Sequence, residues 1–302
     1  MANHTVLNKL LIGLLIVLSI CIMISWKVLF KGYFRYVCNS IIYNRRLVRM
    51  IDNSLPVIKK RNVVFLYSHD YHEIPEYFIY SKKLLDEYCE LHGYTIIVRN
   101  YKNENKVSPY WLRVKDLVDM STQYDDNTVF IYMDLDTCIN PKFMHVSVDT
   151  ILHTLDNYNE WNMYIGKDPN LSLYINSGVM IIKNTQWSKN MLNLWWSKYN
   201  AANWKIENNK WICMIRSGSK CSWAGDNYEQ GELETLYINN AMNARSNIAI
   251  LHMNIISNHF RKCNKSFIYH LMGSNDKDRL SFFKELTQDY EKTTKEDTVQ
   301  NI

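Results

Sequence analysis

The stretch from Val129 to Asn140, VFIYMDLDTCIN, constrains this chain more than any other. The apolar, β-forming run Val129 to Met133 predicts a buried strand that delivers Asp134 and Asp136 at its end. In extended chain, residues i and i+2 share a face, so both carboxylates point one way and Leu135 turns back into the fold. Asn140 and Pro141 then break the strand. Two carboxylates at a strand end can hold a divalent cation, which neutralises phosphate groups. They can equally be solvated strand-end acids, so the rest of the chain must decide. A second pair, Asp276 and Asp278 in GSNDKDR, lacks that setting and reads as a solvated loop.

Around this strand the periodicity alternates. Asn62 to Ser68 is a strand, and Glu76 to His92 is a helix with Gly93 as its C-cap. Tyr94 to Val98 is a strand, and Pro109 to Met120 is a helix with Trp111, Val114, Leu117 and Val118 on one face. The order β, α, β, α, β implies a mostly parallel sheet with helical crossovers, in which ligands bind beyond the carboxyl ends of the strands. Further on come a helix from Ile151 to Leu155 and a strand from Trp161 to Ile165. A strand from Leu171 to Lys183 follows, interrupted at Asn176, Ser177 and Gly178. Glycine inside a strand marks either a close backbone approach by a ligand or a plain bulge. Helices are expected from Trp187 to Tyr199, capped by Thr185, and from Glu229 to Ala241, with a polar loop from Cys213 to Tyr228 before the latter. Ser266 to His270 is a last strand, whose His270 could add a nitrogen ligand. Residues 291–302 read as a disordered tail.

Ahead of this body, Leu10 to Trp26 is an uncharged apolar run flanked by Lys9 and Lys27. A bilayer span needs about 17–25 such residues, and no small-residue cleavage pattern follows, so an uncleaved anchor is expected within residues 1–30 and a stem over 31–61. Lys27, Lys31 and Arg35 behind the span favour a cytoplasmic body by charge alone. With 35 basic and 30 acidic residues and no basic patch interleaved with aromatics, nothing points to a nucleic-acid partner. The seven cysteines show no CxxC spacing, which argues against a zinc site. Cys213 and Cys221 flank a polar loop and can pair in an oxidising compartment, or stay free in a reducing one. Asn170 and Asn264 begin glycosylation sequons.

Five segments, in order, resemble glycosyltransferase family 34, which has a GT-A fold. They are Trp111 to Lys115, Tyr132 to Asp136, Asn176 to Ser188 (NSGVMIIKNTQWS), Glu229 with Gln230, and His270 to Gly273. Family 8 shares the acid pair and a C-terminal His but lacks the NTQWS continuation, and stands second. The resemblance implies a Rossmann-like GT-A domain over residues 62–290 that uses Mn2+ or Mg2+ held by Asp134, Asp136 and His270. It implies donor contacts from Asp134, Leu135, Asn176, Ser177 and Gly178. Gln230 would lie near the anomeric carbon. Lys115 or another cation near the phosphates could help the leaving group, and Glu229 and Asp226 are candidate nucleophiles, with same-face attack equally open. Glu229 stands where the family has Asp, and Ser274 where it has Cys. The implied reaction is retaining transfer of a hexose or pentose from a UDP- or GDP-sugar to a glycan or glycoprotein acceptor. The family architecture places the body in the Golgi or ER lumen, against the charge bias. A metal-dependent nucleotidyl- or phosphotransferase would use the same acids, but no phosphate-cradling Gly-rich loop is present. An inactive carbohydrate-binding relative is the third reading.

Overall fold

A computed structural model describes residues 61–101, 107–156, 160–168, 175–208, 210–214, 224–251, 253–256 and 266–300. The expected anchor, residues 31–60 of the stem, the sequon asparagines Asn170 and Asn264, and Cys221 lie outside the described residues. No helix of the described residues is long and apolar enough to cross a membrane.

Six strands form the central sheet: β1 (Asn62–His69), β2 (Thr95–Asn100), β3 (Thr128–Met133), β5 (Met163–Gly166), β6 (Asn176–Lys183) and β9 (Ile248–Leu251), in the order β2-β1-β3-β6-β5-β9. β1 runs parallel to β2 and β3, and β5 parallel to β9, while β6 is antiparallel to both its neighbours. The sheet is therefore mostly parallel, as expected, with one reversed strand. From β1 the chain moves outward to β2 and then back to β3 on the other side. This reversal opens a crevice at the carboxyl ends of β1 and β3.

The period of two sorts the core. Val64, Leu66, Phe130, Tyr132, Met180 and Ile182 face one layer, built by α2 (Pro109–Gln123), α4 (Gln186–Trp196) and α5 (Glu229–Ile238). On the other face, Phe65 packs on Tyr88 and Tyr67 on Phe78, both from α1 (Glu76–His92). A short helix, α3 (Val148–Asp156), precedes β5. Trp195 is fully buried in the first layer, and its indole N–H donates to the Glu229 carbonyl at 2.7 Å. Trp195→Ala is expected to cost about 3–5 kcal/mol, read as a lowered denaturation midpoint. A loss below about 1 kcal/mol would mean that Trp195 does not anchor α5.

Several elements differ from expectation. β6 runs from Asn176, so Asn176, Ser177 and Gly178 are its first residues; residues 171–174 of the expected strand lie outside the described residues. Three further pieces went unforeseen: β4 (Thr137–Ile139), the hairpin β7 (Trp204–Glu207) with β8 (Lys210–Cys213), and β9. β4 pairs antiparallel with β10 (Ile268–His270) and sets His270 opposite Thr137. Asp276 and Asp278 sit not in a loop but in the first turn of α6 (Asp276–Gln300). This helix runs on through residues 291–300, the expected disordered tail, and packs on α1. Asn275 caps it, its side-chain oxygen accepting from the Asp278 N–H at 2.9 Å.

Candidate active site

Asp134 follows β3 directly, and its N–H donates to the Gly178 carbonyl at 2.8 Å, so β3 and β6 fix each other's ends. Asp136 is fixed from the other side, its carbonyl accepting from Leu271 N–H at 2.9 Å. With β4 and β10 paired, this places His270 Nε2 3.3 Å from Asp136 Oδ1 and 3.9 Å from Asp134 Oδ2. One ligand atom from each of Asp134, Asp136 and His270 falls within 4.8 Å of the others. Two carboxylates and an imidazole suit Mn2+ or Mg2+. Gly178, with no side chain, lets the His270 ring and the Asp134 carboxylate close over the strand at this point. A Cβ on Gly178 would sit 2.2 Å from His270 Cε1 and 2.7 Å from Asp134 Oδ2. The residues thus fit a divalent cation.

The remaining carboxylate oxygens are tied elsewhere. Asp134 Oδ1 is 2.9 Å from Arg113 Nη2 and accepts from the Tyr132 hydroxyl at 3.0 Å. Asp136 Oδ2 is 2.7 Å from Arg279 Nη2. Burial acts to raise the Asp136 carboxyl, but His270 and Arg279 hold it at about 2. Burial acts to lower the His270 imidazole, and the two carboxylates push it above its ordinary value. Burial likewise opposes the charge of Arg113, yet Asp134, Tyr132 and Glu229 keep it protonated.

Arg113 joins the acid pair to a second cluster. Its Nη1 donates to Ser177 Oγ at 3.1 Å, and its Nε lies 3.5 Å from Glu229 Oε1, an ion pair too long and bent for a hydrogen bond. Glu229 is buried, accepts from Ser177 Oγ at 3.3 Å through Oε1, and leaves Oε2 without a hydrogen bond. Burial, abetted by Asp134 and partly offset by Arg113, raises its pKa. Gln230 Oε1 accepts from the Ser177 N–H at 3.0 Å. Asn176 donates to Asp168 at 3.2 Å and accepts from the Gly178 N–H at 3.1 Å.

All of this lines one cleft of about 740 Å³. Asp134, Leu135, Asp136, Asn176, Gly178, Glu229, Gln230 and His270 border it, with Ser177 buried just behind. Lys115 and Asp226 are not among its lining. Lys115 turns to Asp119, one helical turn on, at 2.8 Å, and Asp226 is exposed. The cation of α2 that reaches the cleft is Arg113, two residues earlier. The second half of the NSGVMIIKNTQWS stretch is structural. The Asn184 amide donates to the carbonyls of Ser121, Tyr124 and Asp125, and Thr185 caps α4.

Sequence reading missed the wall made by the end of β1: Ser68, His69, Asp70 and Tyr71. His69 is 3% exposed, and neither ring nitrogen has a hydrogen-bond partner. Burial lowers its pKa and keeps it neutral. An unmet buried polar group costs about 1–3 kcal/mol, which a ligand in the cleft would relieve.

No sequence profile of a known family matches the chain. Over 125 residues it is 22% identical to xyloglucan 6-xylosyltransferase 4 of Arabidopsis thaliana, a match covering 39% of this chain and 23% of that enzyme's length. Among solved structures, it is similar to a glycosyltransferase involved in the glycosylation of the major capsid of PBCV-1. That likeness has a TM-score of 0.51 and 15% identity, and covers 74% of this chain and 99% of the other. The WbbM bifunctional glycosyltransferase gives a TM-score of 0.42, too slight to bear on the fold. The chain has a glycosyltransferase-like α/β fold of the GT-A kind, and its Asp134-x-Asp136 pair stands at the end of a central strand.

Proposed function

We propose that the protein is a metal-dependent, retaining glycosyltransferase that moves a hexose or pentose from a UDP- or GDP-sugar to a glycan or glycoprotein. One observation carries this reading: Asp134, Asp136 and His270 converge in the same cleft as the buried Glu229, whose Oε2 is unpartnered. The partial likeness to a xylosyltransferase supports a sugar as the group transferred.

When bound at Asp134, Asp136 and His270, Mn2+ or Mg2+ supplies Lewis-acid stabilisation of the departing diphosphate. The chain's own residues do the rest. β3 separates two halves of the cleft. On the β6 side Glu229 and Gln230 frame the sugar, and on the β1 side His69 is left for the nucleoside. Glu229, ionised, faces the positive charge that develops on the anomeric carbon. Gln230 uses its carbonyl oxygen on Ser177, so its amide N–H groups remain for a sugar hydroxyl. Arg113, ion-paired with both Glu229 and Asp134, offsets the repulsion between the two carboxylates.

Because Glu229 acts ionised and its pKa is raised, activity should climb with pH through that raised value and fall below it. Glu229→Gln should lower turnover about 10²-fold or more and remove this acid limb from the pH–rate profile. An acid limb that survives unchanged in Glu229→Gln would remove Glu229 from the mechanism.

We place the body in the Golgi or ER lumen behind an uncleaved anchor at Leu10 to Trp26. Cys213 is disulfide-bonded, which supports an oxidising compartment. The reaction is tested by incubating the full chain with a panel of sugar nucleotides and Mn2+ and scoring nucleotide release. Release from one donor, abolished by EDTA and giving a product of unchanged anomeric configuration, is expected. No release from any donor would refute the assignment.

A further inference from the structure

The two carboxylates divide their oxygens in the same way. Asp134 turns Oδ2 and Asp136 turns Oδ1 toward His270, and in each the other oxygen is held by a guanidinium. For Asp134 that guanidinium comes from Arg113, at the heart of the sheet's helical layer. For Asp136 it comes from Arg279, in the first turn of the C-terminal helix α6. The contacts of Arg279 are more than one ion pair. Its Nη2 is 2.7 Å from Asp136 Oδ2, its Nη1 3.0 Å from Asp276, and its Nε donates to the Leu271 carbonyl at 3.4 Å. Its guanidinium carbon lies 5.5 Å from the centre of the Tyr77 ring of α1, within cation–π range. Leu271 follows His270 and is itself bound to Asp136 through its N–H. Arg279 therefore grips one acid directly and the residue next to the histidine as well.

Resting on the metal reading proposed above, we infer that Arg279 is a positioning residue of the metal centre. It holds Asp136 in the rotamer that presents Oδ1 to the ion, and ties that rotamer to the docking of α6 on α1. A carboxylate with both oxygens free would swing between one- and two-oxygen binding. Pinning Oδ2 leaves a single oxygen at a fixed place, in line with outer-shell partners of metal ligands generally. A competing physical reading exists: a cation paired with Asp136 would oppose a second cation there, and its removal would tighten metal binding. The geometry favours positioning, because Arg279 occupies Oδ2 and not Oδ1, the oxygen nearer His270.

The test is Mn2+ affinity of the full chain, measured by electron paramagnetic resonance of free Mn2+, alone and with UDP or GDP. Arg279→Gln should weaken Mn2+ binding about ten- to a hundredfold. Arg279→Lys, which can still reach one oxygen but loses the planar fork, should recover part of that loss. Circular dichroism melts of both variants separate this from unfolding, since a role confined to docking α6 would lower the melting temperature and leave Mn2+ affinity in the folded protein unchanged. Unchanged or tighter Mn2+ binding by folded Arg279→Gln overturns the inference alone. Failure of the wild-type chain to bind Mn2+, with either nucleotide or without, overturns the metal reading and this inference with it.

Discussion

Asp134→Asn and Asp136→Asn are each expected to abolish transfer and leave the fold intact. An amide keeps the shape and can still accept from the neighbouring arginine, so packing around Arg113 and Arg279 survives. The lost negative charge is what a cation beside a diphosphate requires. Lewis-acid stabilisation is worth several kcal/mol, so turnover should fall about 10³-fold or more, even at saturating Mn2+. Both positions are part-exposed, at 26% and 13% of their side chains, which supports tolerance of the amide. Turnover equal to wild type in either variant would mean that the acid pair is not the metal site.

Gly178→Ala is expected to be as damaging, for a steric reason. The added Cβ would lie 2.2 Å from His270 Cε1, and 2.7 Å from Asp134 Oδ2, closer than side chains tolerate. Gly178 sits within β6 and its carbonyl holds the Asp134 N–H, so the strand cannot shift without moving an acid. His270 has to move instead. The variant should lose most of its Mn2+ affinity and activity together, at a stability cost of about 1–3 kcal/mol. A variant that binds Mn2+ as wild type does would show that the placement of His270 against Gly178 is not what the ion requires.

Much of the site was legible because its residues end strands. The apolar run of β3 announces itself and delivers Asp134 at its end, but residues 135 and 136 form a turn closed by the Thr137 N–H on the Asp134 carbonyl, so Asp136 reaches the site through that turn, with Leu135 on the cleft wall, and not by the extended alternation expected. The same alternation applied to β1 marks Ser68, two residues beyond Leu66 and level with Asp134, whereas His69 ends the strand on the Tyr67 face, and one polar residue at a strand end carries no pattern of its own. Lys115 and Arg113 compete for one role on one helix. Asp119, four residues beyond Lys115, was the readable sign that Lys115 is a surface ion pair, whereas Arg113 has Leu117 at that spacing. α6 was hidden by its polar start. Asn275 followed three residues later by Asp278 matches a capping pattern, and taking it as one would have turned GSNDKDR from a loop into a helix start and exposed Arg279. β4 was beyond reach, since three residues hold no periodicity and gain their strand geometry from pairing with β10. His270 owes its place to that pairing, so the role expected of it came from resemblance and its position from tertiary contact.

Everything proposed for this cleft depends on Asp134, Asp136 and His270 holding a divalent cation against a nucleoside diphosphate. Anomalous diffraction at the manganese edge, from crystals of the protein grown with Mn2+ and UDP or GDP, reads this directly. A manganese peak bounded by Asp134 Oδ2, Asp136 Oδ1 and His270 Nε2, in contact with the diphosphate, is expected. A diphosphate bound in the cleft with no manganese at these three atoms, or manganese ordered elsewhere, would contradict it.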